Sequence, residues 1–210
     1  MNSIDTKRLR ATVGWLGLLL PWIILILYAA YYGDVPPSIS ATWYLPETVT
    51  PFMIILGSSS ILLMCYRGYT PFDDVINTIT GFAGMCICLF PCDHDYLEKV
   101  GTFHLPVEIS GTIHNISAAV FFILLAYNVL FLFTKSSGIK TRNKKIRNAI
   151  YYICGIGMLL AMIALFIPYF ATVNGLTWWV EAFALLFFGI AFLTKADIYP
   201  WLFCDTPYAD

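Results

Sequence analysis

Residues 112–134 read Thr112-Ile-His-Asn-Ile-Ser-Ala-Ala-Val-Phe-Phe-Ile-Leu-Leu-Ala-Tyr-Asn-Val-Leu-Phe-Leu-Phe-Thr134, without a single Asp, Glu, Lys or Arg. A helix needs about 20 predominantly apolar residues to cross the ~30 Å hydrocarbon layer of a bilayer, and this stretch is long enough. Comparable windows lie at 12–32, 49–66, 75–92, 148–170 and 176–194, the shorter ones reaching span length with their interfacial flanks. Apolar residues make up 59% of the chain and charged residues 12%, about half the share usual in a soluble domain. The spans use most of the 210 residues, so the expected architecture is all-α. It is a polytopic membrane protein with one six-helix transmembrane domain over residues 1–210. The first span is too long for a signal-peptide core and has no small-x-small site after it, so it is expected to be retained.

Basic residues give the orientation. Of the 12 Lys and Arg, only Lys99 falls outside the N-terminal segment, the loops after spans two and four, and the tail. Positive charge marks the cytoplasmic side, which predicts both termini in the cytoplasm of a multi-pass inner (plasma) membrane protein. The run from Lys140 to Arg147 is basic enough to meet anionic lipid headgroups, or serves only to set topology. The expected partners are membrane lipids and a membrane-protein partner or second copy, and nothing suggests nucleic acid.

Several features read as packing. Pro21 within span one predicts a kink or local opening. Gly57-Ser58-Ser59-Ser60 in span two faces Gly81-x-x-Gly84 in span three, and small residues let helices approach closely. Pro71 with Asp73 and Asp74 reads as the capped start of span three. The loop from Asp34 to Thr48, with Pro36, Pro37 and Pro46, reads as extended, with Trp43 and Tyr44 at headgroup level. Cys88 and Cys92 would share a helix face, as packing residues or as a metal or redox pair. The segment 198–203 reads as an interfacial anchor.

Chemistry is expected on the outer side. His94, His104 and His114 all lie in or beside one polar stretch between spans three and four, with Asp93, Asp95, Glu98 and Glu108. Glu181 lies just inside span six, below Trp178 and Trp179, and Glu47 precedes span two. Ionisable groups at membrane depth are costly and mark functional sites by default. Zinc sites use three or four such ligands, so His94, His104, His114 and Asp93 are candidate metal ligands and zinc a candidate cofactor. Asp93, His114 and Glu181 are the candidate catalytic groups. His114, in the first turn of a span, keeps a ligand-competent ring, or is simply an interfacial histidine. An unpaired Glu181 would be expensive, so it is expected to face the bundle and pair with His114, Lys99 or a cation, or else to be protonated and merely tolerated.

Leu89-Phe-Pro-Cys-Asp93, followed by Gly111-Thr-Ile-His114-x-x-x-Ala118, resembles a group of bacterial multi-span proteins grouped as a domain of unknown function. There, a Phe-Pro-x-Asp span end and a Gly-x-[Ile/Leu]-His-x-x-x-Ala span start flank a short outer loop. Phe-Leu-Phe-Thr-Lys135, Arg147-Asn-x-Ile-Tyr151 and Cys154-Gly155 resemble its Bacteroidetes-type branch. The stretch from His114 to Phe122 is distantly similar to the Frag–DRAM membrane group. The resemblance implies a compact helical bundle with Asp93 and His114 as the carried-over positions. A looser likeness is to the membrane zinc hydrolases that include alkaline ceramidases and adiponectin-type receptors, from which this chain departs in lacking a seventh span, Ser-x-x-x-His and His-x-x-x-His. Three functions fit these readings. One is a metal-assisted membrane enzyme acting on lipid or another extracytoplasmic substrate, another a proton- or cation-coupled transporter or channel, and the third an accessory or structural subunit.

Overall fold

The computed structural model describes residues 3–135, 141–165, 167, 172, 173 and 175–199. Helix α1 covers Ser3–Tyr32, α2 Pro46–Cys65, α3 Pro71–Leu89 and α4 Val107–Tyr127, which runs on into a π turn at Asn128–Leu132. Helix α5 covers Arg142–Leu165 and α6 Leu176–Lys195. All six are long and apolar enough to cross a membrane. The protein is an all-α, six-helix transmembrane bundle.

Helices α1 to α5 begin before their apolar windows, and at α3 the extension is capped. Helix α3 starts at Pro71 because Thr70 closes a capping box with Asp73: the Thr70 Oγ1 accepts from Asp73 N–H, and the Asp73 carboxylate accepts from Thr70 N–H. It stops at Leu89, not at 92, because Phe90 precedes Pro91 and is forced into extended backbone (φ −115°, ψ 97°). Cys88 and Cys92 therefore do not share a helix face: Cys88 is inside α3 and Cys92 lies in the loop beyond it. Helix α1, by contrast, continues through Pro21 to Tyr32.

Each helix packs on its neighbours in the chain, and α6 closes the ring onto α1. Helices α2 and α3 make the most extensive pair, as their small residues require. A Cβ at Gly81 would overlap the backbone of Ser60, and one at Gly84 would overlap the Ser60 hydroxyl. Ser59 and Ser60 turn their hydroxyls back onto the Ile55 and Leu56 carbonyls at 2.8 and 2.7 Å, so both are packing residues. The centre of the ring is filled by Phe52, Phe121, Leu125, Phe188 and Phe192.

The two ends of the bundle differ. At one, which carries nearly all the Lys and Arg, the carbonyls at the end of α4 are covered by lysines. Lys144 donates to the carbonyls of Phe133 and Lys135, and Lys195 to that of Phe133, each at 3.2 Å. Unpaired carbonyls at a helix C-terminus favour such cations. Lys135 itself reaches both oxygens of the buried Asp73 carboxylate at 3.1 Å, and Arg10 donates to Tyr66 Oη at 2.9 Å. This basic end is tied from α1 through α6. Lys140 of the basic run, and residues 200–203 of the expected anchor, lie outside the described residues.

At the opposite end the first loop is not an extended surface strand. A 3-10 turn at Ser40–Tyr44 folds into the bundle, with Ile39 and Thr42 buried. Trp43 Nε1 donates to the Cys88 carbonyl at 3.1 Å, and the Tyr44 hydroxyl donates to the Cys92 carbonyl. Both aromatics satisfy carbonyls left unpaired where α3 ends, and this draws the loop inward. Between α3 and α4, strands Lys99–Val100 and Leu105–Pro106 pair as a small antiparallel hairpin. Its turn uses positive φ at Gly101 (72°) and His104 (48°).

Candidate functional site

The two short motifs flanking this hairpin clasp each other. Ser110 Oγ donates to the Pro91 carbonyl at 2.8 Å, and His114 Nδ1 donates to the Phe90 carbonyl at 2.8 Å. Gly111 sits directly under Asp93, where any Cβ would overlap the carboxylate. This contact places Asp93 one turn of α4 away from His114 and within its electrostatic reach. Asp93 stays solvent-exposed while His114 is 3% exposed, and no direct hydrogen bond joins them in the described contacts.

A backbone carbonyl on Nδ1 decides the tautomer of a neutral imidazole, leaving Nε2 as the free acceptor. Nε2 lies 3.1 Å from Ser40 Oγ, and Ser40 Oγ lies 3.5 Å from Glu181 Oε1. The other Glu181 oxygen accepts from Ile39 N–H at 2.5 Å. The result is a line: Phe90 carbonyl, His114, Ser40, Glu181. Ser40 has one hydrogen for two acceptors, so its direction follows the line's mobile proton. With the proton on His114 Nε2, Ser40 donates to Glu181; with it on Glu181, Ser40 donates to His114. The arrangement can pass a proton between α4 and α6 through one hydroxyl.

A cavity of about 430 Å³ opens onto this line, bounded by Ser38, Cys92, Asn115 and Thr177 as well as Ser40, His114 and Glu181. A second, apolar cavity of about 60 Å³ continues toward the centre of the ring, between Leu20, Phe52, Leu56, Ile87, Phe121 and Leu185. Ser40, Ala118, Met162, Leu165 and Glu181 border both. The polar line therefore stands where the larger chamber, of mixed lining, meets a smaller and almost wholly apolar one. Burial and the Glu181 and Asp93 carboxylates push the Cys92 thiol up to about 12, and burial also raises the Tyr44 hydroxyl.

Glu181 faces inward, as its cost in lipid demands, but it meets α4 only through Ser40 and does not contact Lys99 or His114 directly. Asp93 and His114 come together through Gly111. The other two histidines stand apart from this line. His94 accepts from Tyr96 N–H at 3.3 Å and packs its ring on Tyr44 at 4.5 Å. His104 is an exposed turn residue. Glu47 accepts from the Tyr32 hydroxyl at 3.3 Å, and Asp95, Glu98 and Glu108 are exposed. Among the described residues no three of His, Cys, Asp and Glu gather as a metal would need. His94, His104, His114 and Asp93 thus do not form the zinc-binding group their sequence proximity suggests, since the His94 ring packs on Tyr44, His104 sits in an exposed turn and His114 is bonded to Phe90 and Ser40. Ser40 was not foreseen: a serine in a proline-rich loop carries no signal until the loop folds inward. No family model, curated protein or solved structure matches the chain.

Proposed function

We propose that this integral membrane protein binds a lipid-like amphiphile and exchanges protons with its polar group through Glu181, Ser40 and His114. The observation that carries the reading is the position of this line where the 430 Å³ chamber, whose wall holds Ser38, Asn115 and Thr177, meets the 60 Å³ apolar one. A polar head fits the first and the start of a hydrocarbon chain the second, the usual division of labour in a ligand pocket. A neutral imidazole beside a hydroxyl is general-base geometry, so acid–base chemistry on the head group is the activity favoured. The relay through Ser40 supports a second reading, in which proton transfer is coupled to movement of the amphiphile.

Ala118 borders both chambers and belongs to neither polar partner. Native mass spectrometry of the purified protein is expected to show a retained amphiphile, or uptake of one from a total lipid extract. Ala118→Trp should abolish it while the protein stays folded. Equal retention by Ala118→Trp, or no uptake by the wild-type chain, would overturn the reading.

The sidedness of the basic residues supports placing the basic end in the cytoplasm and the chamber on the outer face of the plasma membrane.

A further inference from the structure

We infer that the head group held in the chamber is a cation, an amine or ammonium on the amphiphile, paired with Glu181. This rests on the amphiphile reading above and adds the charge of its head. None of the described lining residues is Lys or Arg, and the polar ones are Glu181 and neutral donors or acceptors. The segment 166–180, which leads into α6, contains no charged residue at all. At this end of the bundle, Asp34, Glu47, Asp93, Asp95, Glu98, Glu108 and Glu181 stand against Lys99 alone; of these, Glu181 lines the chamber and Asp93 lies within electrostatic reach of Cys92 in its wall. Walls of low dielectric focus such a one-signed field and concentrate counter-ions at the mouth.

Glu181 is equipped to receive the cation. A carboxylate has about four lone-pair sites, and here the Ile39 and Ser40 N–H groups and the Ser40 hydroxyl face it. That leaves room for one further donor on the residue that borders both chambers. An anionic head would meet the same carboxylate, and on the described wall only the His114 imidazole can carry a positive charge, which it does only while it holds the line's proton. A phosphate-headed lipid is therefore disfavoured, and a long-chain amine favoured.

Three probes of equal chain length separate the possibilities: dodecylamine, dodecanol and dodecyl phosphate, each titrated into the full-length protein in neutral nanodiscs and followed by native mass spectrometry. The amine is expected to bind at least about tenfold more tightly than the phosphate, a difference of about 1.4 kcal/mol. The preference should fall as salt rises. Glu181→Gln should reduce it. Asn115→Lys, at an exposed lining position, should reverse it without disturbing the buried line, so the test survives if Glu181→Gln fails to fold. Binding of all three probes with equal affinity, displaced by Ala118→Trp, would overturn the cation inference and leave the amphiphile reading standing. Binding of none would overturn both.

Discussion

Asp73 holds more partners than any other carboxylate at the basic end. Its side chain is 1% exposed, while that of Lys135 is 42% exposed. It caps α3, accepts from Tyr69 N–H at 3.0 Å, and takes both bonds from Lys135. Hydrogen bonds to a charged group are worth about 1.5–3 kcal/mol. Asp73→Ala is therefore expected to lower stability by that order in a thermal or denaturant melt in detergent, with Asp73→Asn costing less because it keeps part of the cap. An unchanged melting point would show that the contact is not formed. Cys92 gives a second residue-scale test. Its thiol is raised from 9.0 to about 12, so near pH 8 only a minute fraction is the reactive thiolate. In a single-cysteine variant, labelling of Cys92 should be about a thousandfold slower than that of an ordinary thiol, rising tenfold per pH unit. The sign for stability follows: a raised pKa favours the neutral form in the fold, so this contribution is intact below pH 9 and is lost as pH climbs toward 12. Fast labelling at pH 8 would contradict the burial.

Helix contacts decide how close the walls stand. Gly81 and Gly57 both lie in the α2–α3 pair yet differ in what a side chain would meet. At Gly81 it would run into the Ser60 carbonyl and Met64, whereas at Gly57 only the Cys88 sulfur lies within reach, at 4.0 Å. Gly81→Val is expected to destabilise by about 1–3 kcal/mol or more, because backbone cannot step aside as a flexible side chain can. Gly57→Ala should be neutral or gain up to about 1 kcal/mol from helix propensity. Equal effects in a melt would mean that the two helices are not packed at this distance. The α3–α4 pair uses the same device at Gly111, where the missing side chain is what lets Asp93 settle one turn from His114.

At the scale of the whole molecule, a ring of six helices has one end tied by lysines and the other plugged by a loop. The plug carries Ser40, so the chamber's chemistry depends on a connection and not on a helix. With the basic end in the cytoplasm, cysteines placed at positions 98 and 142 should be labelled from opposite faces of intact membranes. Labelling of position 142 from the outer face would overturn the orientation and, with it, the outward placement of the chamber.

How much of this was legible beforehand differs with the residue. The six spans, the crowding of basic residues at one end and the placement of Asp93, His114 and Glu181 toward the other all follow from sequence, because hydropathy and charge act locally and add along the chain. The end of α3 was misread, since the apolar run through Cys92 hides the stop that Pro91 imposes on Phe90. His94 and His104 are close to His114 in the chain and separate from its line in space, since a ring packed on Tyr44 and a positive-φ turn hold them elsewhere. Only the tertiary structure decided that Ser40 would join His114 to Glu181. That link depends on where Trp43 and Tyr44 find carbonyls to bond, and the unpaired carbonyls they use exist only once α3 has ended and packed.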